Sequence, residues 1–499
     1  MTNTAVGFQW LKEKYDLSLY SLTHSSYIGN NDTIELTNKG NIEQIYGPKY
    51  TPKENLDVYH LEFGLKYDHF NLDLLYAVFK RISKEEITEF VKSAPSGKYA
   101  RKIGFLYEWL TGNTIKLYKP INNNYVDLLE SEDYIVGTTE KSMKWKINNN
   151  LLGSSQFCPV IRNSPRLKKL LETNIKEQIV NLKKDFPADV FKRAIRFLYT
   201  KETRSSYEIE REQPSPGRME RFIELMIKAG KEEGETMLEE KRLVELQNAI
   251  VDPRFAVKSF RDFQNYVGEM LGNFQDIIHY ICPPPSMVPS LMAGLQQTYL
   301  KTQGATAPEI RAALLSFAFV FIHPFEDGNG RIHRFLIHDI LAHDNIVPNE
   351  MIIPISAHML NNIQEYDNIL EKYSGPLMRR VEYNKTAEGG VTIINAGEIE
   401  GYYRYPDLTE QCIYLLETIR ATLQQDMPDE LTFLQRYEEA KRELQRIVDM
   451  PDREINWMLL FLHQNKGVFP KRRRDRFNKL TDEEIEQMQQ AYKKVYEIN

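Results

Sequence analysis

The sequence predicts a mostly α-helical protein with one mixed α/β region in its first third. Three observations carry that expectation. Residues 312–322 are apolar on nearly every helical face, which places a helix at the centre of a bundle. Between 187 and 212, Val190, Phe191, Ala194, Ile195, Phe197 and Leu198 form an apolar helical stripe. Residues 400–499 return to helical patterning, with starts signalled at Asp407 and at Thr481-Asp482-Glu483-Glu484. At about 150 residues per domain, 499 residues hold two to four domains. We expect a mixed α/β domain over 1–180, a helical core over 185–400 and a helical domain over 401–499.

The first region reads as strands at 33–36 and 58–63, helices at 72–81 and 102–110, and turns at the two asparagine triplets 122–124 and 148–150. The helix over 187–212 is broken by Gln213-Pro214-Ser215-Pro216-Gly217, since two prolines and a glycine do not continue it. A helical hairpin follows to about Gln247. The irregular stretch 260–286 carries His279-Tyr280-Ile281 ahead of Cys282-Pro283-Pro284-Pro285, so strands or a hairpin are expected there. Thr306 and Glu309 have the spacing of a capping box, with Pro308 in the first turn of the apolar helix.

Composition excludes several classes. The net charge of −6 argues against wholesale coating of nucleic acid, although a local basic patch stays open. Cys158, Cys282 and Cys412 lie far apart in no metal-ligand spacing, which suits a reducing compartment rather than a disulfide framework. Lys12, Glu13, Lys14 and Asp16 stand where a signal peptide would need an apolar core, and the longest apolar stretch is too short to span a bilayer. A soluble, cytoplasmic protein with no membrane partner is the expectation.

Chemistry is concentrated in twelve residues, from His323 to Arg334 (His-Pro-Phe-Glu-Asp-Gly-Asn-Gly-Arg-Ile-His-Arg). Pro324 biases His323 away from helical angles and so stops the buried helix. Gly328 and Gly330 free the backbone to turn and leave its N–H groups open. A new helix starting near Arg331 then turns its unpaired N–H groups and positive dipole end toward the loop, making an anion site. Arg331 and Arg334, three apart, share one face of that turn and suit two phosphates. Asp327 is placed to hold Mg²⁺ with phosphate oxygens, and His323 to take a proton from an attacking hydroxyl. A lone histidine at a helix end is ordinarily structural, and Gly-Asn-Gly alone is ordinarily a turn. Two arginines at a helix start are different, because cations oppose the dipole there unless an anion is bound. A rival reading, His333, His338 and His343 as metal ligands, fails on geometry: i, i+5 spacing fans them about 140° apart.

At every defining position, His323-Pro324-Phe325-x-Asp327-Gly328-Asn329-Gly330-Arg331-x-x-Arg334 resembles the signature of Fic-domain proteins. The resemblance implies a helical Fic core with a β-hairpin flap at the irregular stretch 260–281, and transfer of AMP from ATP to a Ser, Thr or Tyr hydroxyl of a target protein or of the chain itself. It implies His323 as general base, Asp327 as the Mg²⁺ ligand, Gly328, Asn329 and Gly330 as the anion hole, Arg331 and Arg334 on the outer phosphates, Phe325 as the loop's core anchor and Tyr366 near the adenine. Ser206-Tyr207-Glu208-Ile209-Glu210 is similar to the family's inhibitory Ser/Thr-x-x-x-Glu motif, which implies that Glu210 pairs with Arg334 and displaces the γ-phosphate. Arg211 departs from the Gly or Asn that follows in that motif.

The basic segment 466–476, with Lys466, Lys471, Arg472, Arg473, Arg474 and Arg476, follows a predicted helix at 453–464 and an Asn-Lys-Gly turn. It offers a helix-turn-helix-like contact to DNA phosphates. The alternative function is therefore a DNA-binding or target-docking regulator carrying a largely silent Fic core.

Overall fold

A computed structural model describes residues 3–37, 41–117, 120–231, 236–270, 276–348, 351–386 and 389–498. It is mostly helical, as expected. The chain begins with β1 (Thr4–Val6), α1 (Gly7–Lys14), β2 (His24–Ile28), β3 (Thr33–Leu36) and β4 (Ile42–Tyr46). These strands make a sheet of order β1-β2-β4-β3 in which β2 and β4 are parallel and the other pairs antiparallel. Four helices follow: α2 (Asp57–Tyr67), α3 (Leu72–Phe79), α4 (Lys84–Ser93) and α5 (Lys98–Thr111).

Two sequence expectations fail in this region. Residues 58–63 are helix, not strand, because six residues satisfy both periods. Asp57, Val58, His60, Leu61, Phe63 and Gly64 are buried while Tyr59, Glu62 and Leu65, at every third position, are only partly so, a period that a strand does not give. The second asparagine triplet is not a turn either. After β5 (Val126–Asp127) and β6 (Glu140–Ser142), Asn148 and Asn149 lie in β7 (Ile147–Asn149), central in the order β5-β7-β6. Asn148 donates to Asp127 Oδ1 (2.7 Å), and Asn150 pairs both ways with the Leu129 backbone (3.0 and 2.8 Å). The Asn150 amide thus takes the place of a ladder partner for Leu129.

The helical run continues with α6 (Pro165–Leu171), α7 (Ile175–Asp185), α8 (Ala188–Ile209), α9 (Pro216–Lys228) and α10 (Glu240–Ile250). The hairpin of β8 (Tyr266–Met270) and β9 (Asp276–Ile281) is antiparallel, with a register shift at Val267/Gly268. Then come α11 (Val288–Thr302), α12 (Pro308–Ile322), α13 (Asn329–His343), α14 (Ile355–Asn361) and α15 (Ile363–Met378). Every residue of α12 from Ile310 to Ile322 is buried, packed among α11, α13 and a later helix, α17. The capping box at its start does not form. Ala307 holds the cap position, and the Thr306 hydroxyl donates instead to the Val136 carbonyl (2.9 Å).

A small hairpin, β10 (Tyr383–Lys385) with β11 (Val391–Ile393), precedes α16 (Ala396–Arg404), α17 (Thr409–Ala421), α18 (Met427–Ile447), α19 (Asp452–Gln464) and α20 (Asp482–Val495). At Thr481 the capping box is present. The basic segment is a short 3-10 helix, Lys471–Phe477. Arg474 pairs with Asp482 (3.0 Å) and Arg476 with Glu454 (3.3 Å), while Arg473 lies over the Phe461 ring.

Buried apolar side chains form one cluster from Phe8 to Val160, joined by Tyr405; a second from Leu152 to Leu431; and a third from Ala440 to Tyr492. The first two are tied by Arg380, which pairs with Asp73 (2.6 Å) and stacks over Tyr20 (3.7 Å). No described helix is long and apolar enough to cross a membrane.

Candidate active site

The run from His323 links the end of α12 to the start of α13, and each residue is held by a specific contact. His323 closes α12 in the left-handed region (φ 53°, ψ 58°). That conformation costs a non-glycine residue about 1–2 kcal/mol and is retained where surroundings impose it. Its Nδ1 lies 3.1 Å from the Val320 carbonyl. A carbonyl only accepts, so Nδ1 carries the proton and Nε2 presents the basic lone pair. Burial lowers the imidazole pKa to about 4, with a further depression from the Arg261 cation. The ring is a neutral base at ordinary pH.

Phe325 is buried between Phe260 and Phe319 and anchors the loop. The Asn329 side chain closes the turn on it: Oδ1 accepts from Phe325 N–H (3.0 Å) and Nδ2 donates to Phe325 O (2.9 Å). Asn329 therefore shapes the loop with its amide, leaving its backbone N–H at the head of α13. Gly328 caps that helix at φ 91°, a conformation that favours glycine. At Gly330 the reason for glycine is space, because a Cβ there would overlap the Glu210 carboxylate.

Glu210 is the C-cap of α8, and its carboxylate lies against the first turn of α13. Arg334, with its side chain fully buried, donates to Glu210 Oε1 (2.7 Å), Ser206 Oγ (2.8 Å) and Ser206 O (2.7 Å). Burial disfavours the guanidinium charge, but Glu210 and Tyr366 outweigh it and raise the pKa. Arg211, the departure from the family motif, has φ 57°. Gly and Asn are the residues that tolerate this angle best, so the conformation is kept although the residue is not.

The other arginine is also occupied. Arg331 donates to Asp327 Oδ1 (2.5 Å) and to Glu212 Oε2 (3.0 Å), and Arg218 holds Glu212 from the far side (2.8 Å). Glu212 carries no role in the sequence reading above. Asp327 also accepts from Gly328 N–H (2.6 Å), yet 47% of its side chain is exposed. Both contacts fall on Oδ1, which leaves Oδ2 for a hard cation. Among the described residues no group of three or more potential metal ligands is gathered.

Tyr366 is buried against His333 and Tyr414, its hydroxyl 3.5 Å from Arg334 Nη1 and its pKa pushed up to about 12 by burial. It stands beside the second arginine. The three histidines of α13 diverge as the helical spacing requires: His333 packs on Phe317, His338 bonds Glu202 (2.7 Å), and His343 bonds Asp344 (3.1 Å). Glu202, fully buried in α8, also accepts from Ser356 N–H (2.8 Å) and the Ser356 hydroxyl.

Residues 237–341 match the Fic/DOC family. The chain carries a Fic domain. That match takes in α10, the β8–β9 hairpin, α11, α12 and most of α13, with the loop from His323 to Arg334. A Fido domain-containing protein of Dictyostelium discoideum is 44% identical over 59 residues, 11% of this chain and 41% of that protein. The chain thus matches well under two thirds of that relative. Among solved structures, a Fic family protein from Desulfovibrio desulfuricans is 16% identical, with 63% of this chain and 87% of that one covered and a TM-score of 0.38. A Fic domain containing signaling protein from Bacteroides thetaiotaomicron is 21% identical, with 50% and 96% covered and a TM-score of 0.33.

Proposed function

We propose that the Fic domain transfers AMP from ATP to a Ser, Thr or Tyr hydroxyl of a target protein or of the chain itself, and that Glu210 holds it in a braked state. The observation that carries this reading is a carboxylate seated on the first turn of α13, against Gly330 and on Arg334. An anion already occupies the place where the glycine loop, the helix dipole and the arginines converge.

In the transfer, the target hydroxyl oxygen forms a bond to the α-phosphorus while the bond from that phosphorus to the bridging oxygen breaks and pyrophosphate leaves. His323 Nε2 takes the hydroxyl proton. Its neutral state and fixed tautomer prepare it for that role. Backbone N–H groups at the head of α13 stabilise charge on the phosphate oxygens, and Arg331 and Arg334 bind the outer phosphates once their carboxylates withdraw. Mg²⁺, when bound at Asp327, supplies further charge neutralisation. Glu212 restrains Arg331 as Glu210 restrains Arg334, so both arginines are out of use in the braked state.

Intact-mass analysis of Glu210→Ala protein incubated with ATP and Mg²⁺ tests the reading. The expected outcome is a mass gain of AMP that His323→Ala abolishes. A gain that persists in His323→Ala would refute the mechanism.

A further inference from the structure

Arg261, in the segment leading into β8, has no role in the account above. It is 6% exposed, and none of its contacts among the described residues is to a carboxylate. Instead its fork is spread over backbone carbonyls: Nε donates to His323 O (2.8 Å), Nη1 to Phe263 O (2.9 Å), and Nη2 to Pro283 O (2.7 Å) and Ile322 O (3.5 Å). Its own N–H donates to Pro324 O (2.9 Å). Phe263 precedes β8 and Pro283 follows β9, so one side chain ties both feet of the hairpin to the turn that carries the base.

The energetic logic is specific. The last carbonyls of a helix lack intrahelical partners, and a cation is favourable there. Arg261 satisfies two of them at the end of α12, where His323 sits at strained angles. A buried guanidinium without a counter-ion is expensive, and desolvation depresses its pKa. Such a cation is retained where its fixed fork does something a lysine would not.

We infer that Arg261 is a positioning residue for His323: it holds the left-handed turn that aims the imidazole and locks the hairpin's feet to it. The inference rests on His323 as the general base. Arg261 touches no reacting atom. The charges that act on the imidazole are Arg261, which disfavours the imidazolium, and Glu210 and Asp327, which favour it.

The test uses the full chain with Glu210→Ala as parent, compared with Arg261→Met and Arg261→Lys in that background. We expect Arg261→Met to lower kcat about 100-fold, with KM for ATP within about two-fold, as a misplaced base requires. Arg261→Lys, which keeps the charge but not the fork, recovers part of kcat. Histidine NMR, assigned with His323→Ala, reads the imidazole directly. Its pKa, held low chiefly by burial, rises relative to the parent in Arg261→Met and stays low in Arg261→Lys. Unchanged kcat and unchanged titration in Arg261→Met, with only a lower Tm, would overturn the proposal. If the parent itself is inactive, the transferase reading fails, and the NMR titration alone decides whether Arg261 acts on His323.

Discussion

Removing the Glu210 carboxylate should tighten nucleotide binding and weaken the empty protein at once. The Glu210–Arg334 pair is 2.7 Å long and Arg334 is fully buried, but 36% of the Glu210 side chain is exposed. A hydrogen bond to a charged group contributes about 1.5–3 kcal/mol, and solvent screening at Glu210 reduces this to about 1–2 kcal/mol. If an incoming phosphate must displace that contact, Glu210→Ala lowers the Kd for a non-hydrolysable ATP analogue about 5- to 30-fold. Glu212→Ala should give less, about 2- to 5-fold, because Arg331 keeps Asp327 when Glu212 is gone. Without nucleotide the signs reverse: buried Arg334 loses its carboxylate partner, so Tm falls, and saturating analogue restores it. Isothermal titration calorimetry and thermal unfolding read the two effects separately. A Kd unchanged within two-fold, with Tm lowered as predicted, would show that Glu210 stabilises the fold without standing in the phosphate's place.

Other expectations follow from the same contacts. With the His323 pKa held near 4 by burial, His323-dependent transfer in Glu210→Ala protein should show no rise between pH 6 and 7, where an ordinary histidine titrates; a limb there would put the base elsewhere. The same residue contributes stability that is fully present above about pH 6.5 and lost as pH falls through about 4, so the stability gap between wild type and His323→Ala should narrow from pH 7 to pH 4.5 in denaturant titrations. Arg211→Gly relieves a left-handed angle and should raise stability by up to about 1 kcal/mol while keeping the brake, whereas Arg211→Val should loosen the turn and raise self-labelling. The DNA-binding alternative predicts a salt-sensitive gel shift from residues 466–476 that Arg472→Glu weakens, and no shift even at low salt would retire it.

What the sequence made legible was local. The loop from His323 to Arg334 is contiguous, and its order of base, carboxylate, glycines and arginines follows directly from backbone stereochemistry. The hairpin over β8 and β9 was announced by its β-branched and aromatic residues, and α12 by length and apolarity. Helix α2 was misread because six residues do not separate a period of two from one of 3.6. Glu212 and Arg261 stayed hidden for another reason: their partners, Arg331 and His323, lie 119 and 62 positions away, and nothing in their own neighbourhoods marks them. Glu210 was found only through the family motif, since the acidic end of α8 offers several equivalent carboxylates.

The bond from Glu202 to His338 and Ser356 constrains how the site opens. Glu202 sits two turns before Glu210 on the same helix, and it is sealed from water. Pulling α8 out as a rod would strip a buried carboxylate of its partners, at a cost of about 3–5 kcal/mol. The last residues, 210–212, are held through Arg334, Arg331 and Arg218 rather than sealed in the core, and the chain turns there at left-handed Arg211. On the proposed reading the brake is a latch whose tongue moves while its plate stays bolted. On that reading, release asks for movement of only a three-residue tip, and the rest of the core can stay folded through it.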